Sequence, residues 1–465
     1  MTSTALSPAD LVDPLCGVVR EIVEPALPDG APLGFRSRVA IVSDTRRFAR
    51  WLADRVGGGT SWDDDRQART AALGEAVERY CGNHIPDDLL QASSAELTAQ
   101  GVRHIRPLQL PAFSAAQLAR PDFPYRSWDT DTAVRWLPGT SDDGARCWLP
   151  ASHVMLNWHS GPRRTEPRVT HLQYSGIATG TSLADASDRA VGEIIERDAL
   201  IAWWTLGLPA VPVDPRAVPG LSEHFTGSSL TVQLVALPSE FGLPVIAACL
   251  REERHGIIVM GLAASIDPVA AAFKATGEAV QVWTSARGLL EPDGTAFAAV
   301  SQGIFSPKVF LAHRPDRRYL DSAGPQFENI RDLATQVQLW LDPRMHPLAA
   351  RFDPPGPHRP PEDAARVAVA DAAAAVAPGI PAHPVRSTAE LRSRLIASGR
   401  MPVTADLTTS DVAEVGWRVA RVIVPEMLTN APAAFSYLGT PRLSEIAARH
   451  DISPASFTLA PPPHN

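Results

Sequence analysis

The chain has 465 residues, of which 45% are hydrophobic and 20% charged, with a formal net charge of -8. This composition is that of a globular protein with room for a large core. The acidic balance disfavours generic binding to nucleic acid or to an anionic membrane surface.

In chain order, the first 60 residues read as a short helix and strands, with Val39–Val42 the strand candidate. Gly57-Gly58-Gly59-Thr60 reads as a loop and Asp63-Asp64-Asp65 as an acidic turn. A helix follows over about Arg66–Cys81. Trp136–Pro138 and Cys147–Pro150 read as strands around a turn at Asp142-Asp143-Gly144. Ser175–Ser182 is a small-residue loop leading into a helix over about Ala184–Trp204, whose Trp203-Trp204 pair is expected in the core. Three strands follow, at about Leu230–Val235, Val245–Leu250 and Gly256–Met260, and then a helix over about Pro268–Ala286. Asp353–Pro361 reads as a Pro-rich linker, and an Ala-rich helix runs to about Val376. Pro402–Leu407 and Arg418–Val424 are strands flanking a helix capped near Thr409-Ser410-Asp411. The tail Ala460–Asn465 is expected to be extended. Alternating helices and strands predict a mixed α/β (α+β) fold.

The four cysteines, Cys16, Cys81, Cys147 and Cys249, have no C-x-x-C spacing, so buried free thiols in a reducing cytoplasm are expected. No basic-then-apolar segment opens the sequence and no apolar run is long enough to span a bilayer, so no membrane association is expected. His153 and His159, six residues apart, are expected to be structural. No Walker loop, dinucleotide fingerprint or G-x-S-x-G elbow is present.

One pattern, A-x-G-E-x-x-[E/Q], occurs three times: Ala72–Arg79, Ala190–Arg197 and Ala275–Gln281. Acidic residues at i and i+3 share a helical face. On the first helix Ala71, Glu75, Glu78 and Arg79 share one side, opposite Leu73, Val77 and Tyr80. On the second, Glu193, Glu196 and Arg197 lie opposite Val191 and Ile195. The plain reading of one such helix is a solvated charged face. Three copies, each with Gly before its first Glu, predict helices converging on a shared ligand. Four carboxylates converge only if cations offset their repulsion. Hard oxygen donors suit Mg2+, which also binds phosphates, and arginines suit phosphate.

These residues resemble the YcaO family, ATP-dependent enzymes that activate peptide-backbone amides. The likeness runs from about Asp13 to Pro425 and is greatest to the YcaO component of azoline-forming cyclodehydratases. It rests on Asp13–Arg20, on Ala71–Tyr80 as the E-x-x-E-R-Y helix, and on Ser175–Gly180 with Glu193–Ala199. Asp406–Asp411, Gly416 and Val419–Pro425 match the late D-L-T-T-P-D and V-x-R-V-I-V-P stretch. The resemblance implies that Glu75, Glu78, Glu193 and Glu196 bind Mg2+, and that Arg79, Arg197, Glu278 and Gln281 line the ATP pocket. It implies a YcaO-like fold with internal pseudo-repeats: an N-terminal segment over 1–55, a catalytic domain over 56–440 and a Pro-containing tail over 441–465.

Four positions depart from the family pattern. Ala71 replaces a Ser. Gly57-Gly58-Gly59, or Thr60-Ser61-Trp62, replaces a Gly-Lys-Gly loop. Trp283 replaces an Arg, with Arg287 as a candidate substitute. The Pro-rich terminus is reduced to Pro461-Pro462-Pro463-His464-Asn465; the residues themselves identify no catalytic base, and the resemblance, which implicates the C-terminus, makes Pro463–Asn465 candidates for it. The implied activity converts Cys, Ser or Thr of a ribosomal precursor peptide to azolines. Thioamidation, macrolactamidine formation and a non-catalytic scaffold are the alternatives. The implied partners are the precursor peptide and an E1-like or ThiF-like leader-binding protein, with a flavin dehydrogenase and a homodimer as further associations.

Overall fold

Among residues 6–45, 54–353 and 384–464, which the computed structural model describes, three antiparallel sheets each feed one long helix. The first sheet has β1 (Val19–Val23), β2 (Phe35–Val42) and β3 (Val56–Trp62), and leads into α1 (Asp65–Gly82). The second has β4 (Leu90–Ala92), β5 (Val134–Ser141), β6 (Arg146–Pro150) and β7 (Ile177–Gly180), and leads into α2 (Leu183–Leu206). The third has β8 (Val211–Val213), β9 (Leu230–Ala236), β10 (Val245–Glu252) and β11 (Ile257–Ala264), and leads into α3 (Pro268–Arg287). The late strands β12 (Val403–Asp406) and β13 (Arg418–Ile423) return to the second sheet, in the order β4-β5-β12-β13-β7 with β6 on β5. A last helix, α4 (Pro441–Arg449), packs on α2. This is the mixed fold with internal repeats that the sequence predicts.

Side-chain oxygens cap all three long helices, in each case from the residue before the first turn. Asp64 accepts from Gln67 N, Ser182 from Asp185 N and Asp267 from Val269 N, satisfying donors that no helix can satisfy internally. Leu73, Val77 and Tyr80 are buried as the helical wheel predicts, and so are Val191 and Ile195. The large core packs α2 and α3 against the third sheet and includes Trp203, Trp204, Trp283 and Trp340.

Four expectations need correction or qualification. Gly57–Thr60 is not a loop: it lies in β3, paired residue for residue with β2 from Gly57↔Ala40 to Thr60↔Ser37. Its glycines serve strand–helix packing. A Cβ on Gly57 would stand 2.5 Å from Ala76 N, and one on Gly59 2.1 Å from Ala72 N. The Ser175–Ser182 stretch likewise contains a strand, β7, paired with β13. Cys16 is exposed, while the other three cysteines are buried free thiols. The linker after Asp353 and the Ala-rich helix lie outside the described residues. Among the described residues, no helix is long and apolar enough to cross a membrane.

The two kinds of glycine should respond oppositely to one methyl group. Gly59→Ala forces a backbone clash and costs about 1–3 kcal/mol or more. Gly74→Ala, where a Cβ meets nothing within 4 Å, gains about 0.5–1 kcal/mol from helix propensity. Urea unfolding of the two variants reads both signs.

Candidate functional site

The three acidic repeats form a clasp in which each helix holds two strands. The first Glu of each copy reaches back to the strand segment before its own helix. Glu75 Oε2 accepts from Gly58 N at 2.7 Å, Glu193 Oε2 from Gly176 N at 2.9 Å, and Glu278 Oε2 from Leu262 N at 2.8 Å. The second acid reaches across to the next unit: Glu78 Oε1 accepts from Thr179 N at 2.7 Å, and Glu196 Oε2 from Ala264 N at 2.8 Å. The third copy closes the ring. Gln281 lies against β3, where a Cβ on Gly58 would stand 2.3 Å from its Nε2. One helical turn therefore ties α1 to β3 and β7, α2 to β7 and β11, and α3 to β11 and β3. The i, i+3 spacing lets one helical face meet both strands.

The polar faces that would be solvated on isolated helices are therefore largely enclosed. Glu196 is only 4% exposed. Burial pushes the Glu78 carboxyl up to about 8, against the Thr179 N–H and Arg79, and the charges of Glu75 and Glu193 push it further the same way. Burial also raises Glu196, to about 7; Arg197 and Lys274 oppose the shift, and Glu278 and Glu193 add to it. Glu278 goes the other way. Burial would raise it, but His464, Arg197 and the Leu262 N–H hold it at about 2.

The arginines of the first two copies are placed differently. Arg79 binds Glu75 Oε1 at 3.0 Å and stacks on Tyr174 with its Cζ 3.8 Å from the ring centroid. Its Nη1 is buried with no hydrogen-bond acceptor among the described residues. Arg197 lies 3.5 Å from Glu196 Oε1 and 3.9 Å from Glu278 Oε1, with Nη1 3.2 Å from His464 Nε2. That histidine is delivered by the tail. The indole N–H groups of Trp204 and Trp340 hold the carbonyls of Ala460 and Pro461 at 2.7 and 2.9 Å. Met260 N holds Pro463 O at 2.6 Å, and Gln336 Nε2 holds His464 O at 3.1 Å. His464 is buried, with Nε2 3.2 Å from Glu278 Oε1. Asn465 lies outside the described residues.

Arg287 does not take the place of the missing third-repeat arginine. Its Nη1 donates to Glu252 Oε1 at 3.0 Å, and Trp283 Nε1 donates to the other oxygen of the same buried acid at 2.8 Å. His153 is buried and stacked on Trp128, as a structural histidine should be.

Three residues beside the site were not singled out by sequence. Asp54 is a buried carboxyl near Arg79 whose pKa is raised by desolvation, and no local pattern marks it. Tyr174 adjoins the small-residue loop, which could have pointed to it. Arg421, buried on β13, donates to the carbonyls of Tyr174, His153 and Gln173 and so fixes the backbone carrying that ring. It sits within the late matched stretch, but as one apolar-flanked arginine among several.

Among the described residues, no three His, Cys, Asp or Glu side chains group as a ready metal cage. Mg2+ does not require one, since it commonly takes one or two carboxylates and completes its shell with waters and phosphate oxygens. The residues present fit such a group. Neither Glu78 nor Glu193 forms an ion pair among the described residues, and like charge acts between them. Arg79 offers nearby a donor that is unused among the described residues. Gly74 and Gly192 leave their helix surfaces open, whereas a Cβ at Gly277 would meet Thr60 Oγ1 and Trp62 Nε1 at 3.4 Å.

Residues 60–428 match the family model described as YcaO cyclodehydratase, ATP- and Mg2+-binding. An uncharacterized protein of Methanothermobacter thermautotrophicus is 26% identical over 224 residues, covering 46% of this chain and 54% of that protein. Among solved structures, a heterocyclase in complex with substrate and cofactor superposes on 98% of this chain and 57% of its own, with TM-score 0.69 and 19% identity. YcaO from Methanopyrus kandleri, bound with AMPPCP and Mg2+, superposes on 88% of this chain and 86% of its own, with TM-score 0.51 and 18% identity. At these identities the superpositions establish the fold. The chain spans little more than half the length of the first two of these relatives.

Proposed function

The chain belongs to the YcaO family of ATP- and Mg2+-binding cyclodehydratases, and from that premise we propose that it forms azolines in a ribosomally made precursor peptide, in the cytoplasm. The observation that carries this reading is the acidic clasp, with Glu78 and Glu193 outside any ion pair among the described residues and the Arg79 donor beside them. Glu75, Glu78, Glu193 and Glu196 hold Mg2+; Arg79, Arg197, Glu278 and Gln281 line the nucleotide pocket. Bound Mg2+ supplies positive charge to the phosphate oxygens during transfer.

In the proposed reaction, a Cys, Ser or Thr side chain of the peptide gives up its thiol or hydroxyl proton to a base as it attacks the carbonyl carbon of the preceding amide, whose π electrons move onto the oxygen. The former carbonyl oxygen takes the γ-phosphoryl group of ATP, releasing ADP. The nitrogen then loses its proton, phosphate leaves with that oxygen, and the C=N bond of the azoline forms. Arg79 orients a phosphate oxygen through Nη1, with its guanidinium held flat by Tyr174. Arg197 keeps Glu196 and Glu278 apart as charges. Of the candidate tail residues, His464 brings a titratable side chain to this centre, which favours it as the proton acceptor. A separate E1-like or ThiF-like protein presents the peptide; a flavin dehydrogenase oxidising the rings and a homodimer belong to the same proposal.

Reconstitution with ATP, Mg2+, the partner and the precursor should remove one water mass per ring. An unchanged precursor mass, together with no binding of Mg-ATP by the isolated or partnered chain, leaves the scaffold reading instead. Replacement of oxygen by sulfur points to thioamidation. Water loss whose fragments map to a closed amidine points to macrolactamidine formation.

A further inference from the structure

Away from the acidic clasp, a cavity of about 290 Å³ is walled by Tyr125, Arg126, Arg164, Glu166 and Arg168. Its three arginines are exposed, and none forms an ion pair among the described residues. The acid in the wall is already committed: Glu166 Oε1 is 2.8 Å from Arg135 Nε, and its Oε2 accepts from Trp158 Nε1 at 3.2 Å. The result is local positive charge on a chain with 51 acidic and 43 basic residues.

The walls are held in place. Arg126 N donates to Arg168 O at 3.0 Å, joining the two segments that carry the arginines. Tyr125 stacks on Phe113 with centroids 5.0 Å apart, and its hydroxyl lies 2.6 Å from His171 Nδ1. The segment continues through Thr170, bonded to the Tyr437 hydroxyl at 2.9 Å, to Gln173 and Tyr174, the ring beneath Arg79. One anchored stretch of chain thus connects the cationic cavity to the nucleotide site.

We propose that this cavity binds acidic side chains of the peptide substrate, on the side of the reacting residue that lies outside the ATP site. This rests on the peptide-modifying reading above. Three exposed arginines outside any ion pair among the described residues match carboxylates, which guanidinium groups engage by charge-assisted and bidentate hydrogen bonds. The volume falls just below the roughly 300–1,000 Å³ of whole-ligand pockets, so it suits one or two side chains of an extended peptide. A folded partner would need a broad face instead.

The test uses the full chain and two labelled peptides, one Glu-rich and ending in Cys, the other with Gln at every Glu. Fluorescence anisotropy at low salt, without ATP, should show the Glu peptide bound about tenfold more tightly. The preference should shrink as salt is raised and disappear in the combined variant Arg126→Gln, Arg164→Gln, Arg168→Gln. Mg-ATP binding and thermal midpoint, measured on the same variant, should match those of the unmodified chain. Equal affinity for both peptides, or a preference that survives the triple substitution, overturns the proposal. Stoichiometric displacement of the Glu peptide by Mg-ATP also overturns it, by assigning the arginines to the nucleotide. Failure of the unmodified chain to bind Mg-ATP at all would instead strike the cyclodehydratase reading and leave the peptide result to stand alone.

Discussion

Glu78→Gln and Glu193→Gln each lower Mg2+-dependent ATP turnover by about a hundredfold or more, with the fold intact. Glutamine keeps the length and a carbonyl oxygen, so the bonds from Thr179 N and Gly176 N survive. What is removed is the charge that a cation needs. Glu78→Gln should also raise the stability of the metal-free protein at neutral pH. Burial, with Glu75 and Glu193 beside it, lifts the folded carboxyl from 4.5 to about 8. A group with a raised folded pKa costs nothing below its unfolded value, and costs more as pH climbs from there towards the folded one. Between pH 4.5 and 8 the folded Glu78 keeps its proton while the unfolded chain releases it, so the apo protein loses stability as pH rises, and the neutral amide relieves about 1–3 kcal/mol of that. Titration calorimetry with a Mg2+–nucleotide analogue and thermal melts against pH read the two effects separately. Unchanged nucleotide binding in both variants would remove these residues from the metal site.

Arg442→Ala is expected to cost about 3–5 kcal/mol, because it strands buried acid. Arg442 is 2% exposed, and its Nε and Nη2 donate to Asp198 at 2.7 and 2.6 Å. Its Nη1 lies 2.6 Å from Glu240 Oε2. Asp198 itself is 4% exposed and follows Arg197 in the second repeat, so this pair fastens α4 to the helix that carries the site. Glu240 adds a pH signature. Burial alone would raise its carboxyl, but Arg449 and Arg442 hold it at about 2, down from 4.5. A lowered folded pKa stabilises above the unfolded value and loses that contribution as pH falls towards the folded one. The native protein should therefore weaken between pH 4.5 and 2, and Arg442→Ala should flatten that slope. Denaturant unfolding across this range decides it; a loss below about 1 kcal/mol, the scale of an exposed ion pair, would show that the cluster is solvated.

Much of the fold was legible because its periodicities are local. The three long helices appear within a few residues of their expected bounds, since apolar spacing and capping residues act over one or two turns. The misreadings share one cause. Gly57–Gly59 and Ser175–Ser182 carry loop-like residues, yet they form strands because a helix backbone or a neighbouring strand lies against them. Small side chains signal close approach as well as turns, and only the packed neighbour tells the two apart. Trp283 shows the same limit: its position two residues after Gln281 suggests a place in the site, but it is turned into the core by Glu252 on β10.

The candidate site divides in the same way. The repeated A-x-G-E-x-x-[E/Q] was enough to pick out Glu75, Glu78, Glu193, Glu196, Glu278 and Gln281 as one set, because a helix places i and i+3 on a common face whatever surrounds it. The sequence by itself determined which residues would act together and what charge they would bring. Only the tertiary structure decided which strand each acid grips, that Glu78 and Glu196 are raised while Glu278 is lowered, and that His464, Asp54 and Tyr174 join them. Those outcomes depend on burial and on neighbours as many as 267 residues away in sequence, as the tail histidine is from Arg197. Desolvation and charge act through space, so no local pattern of residues encodes them.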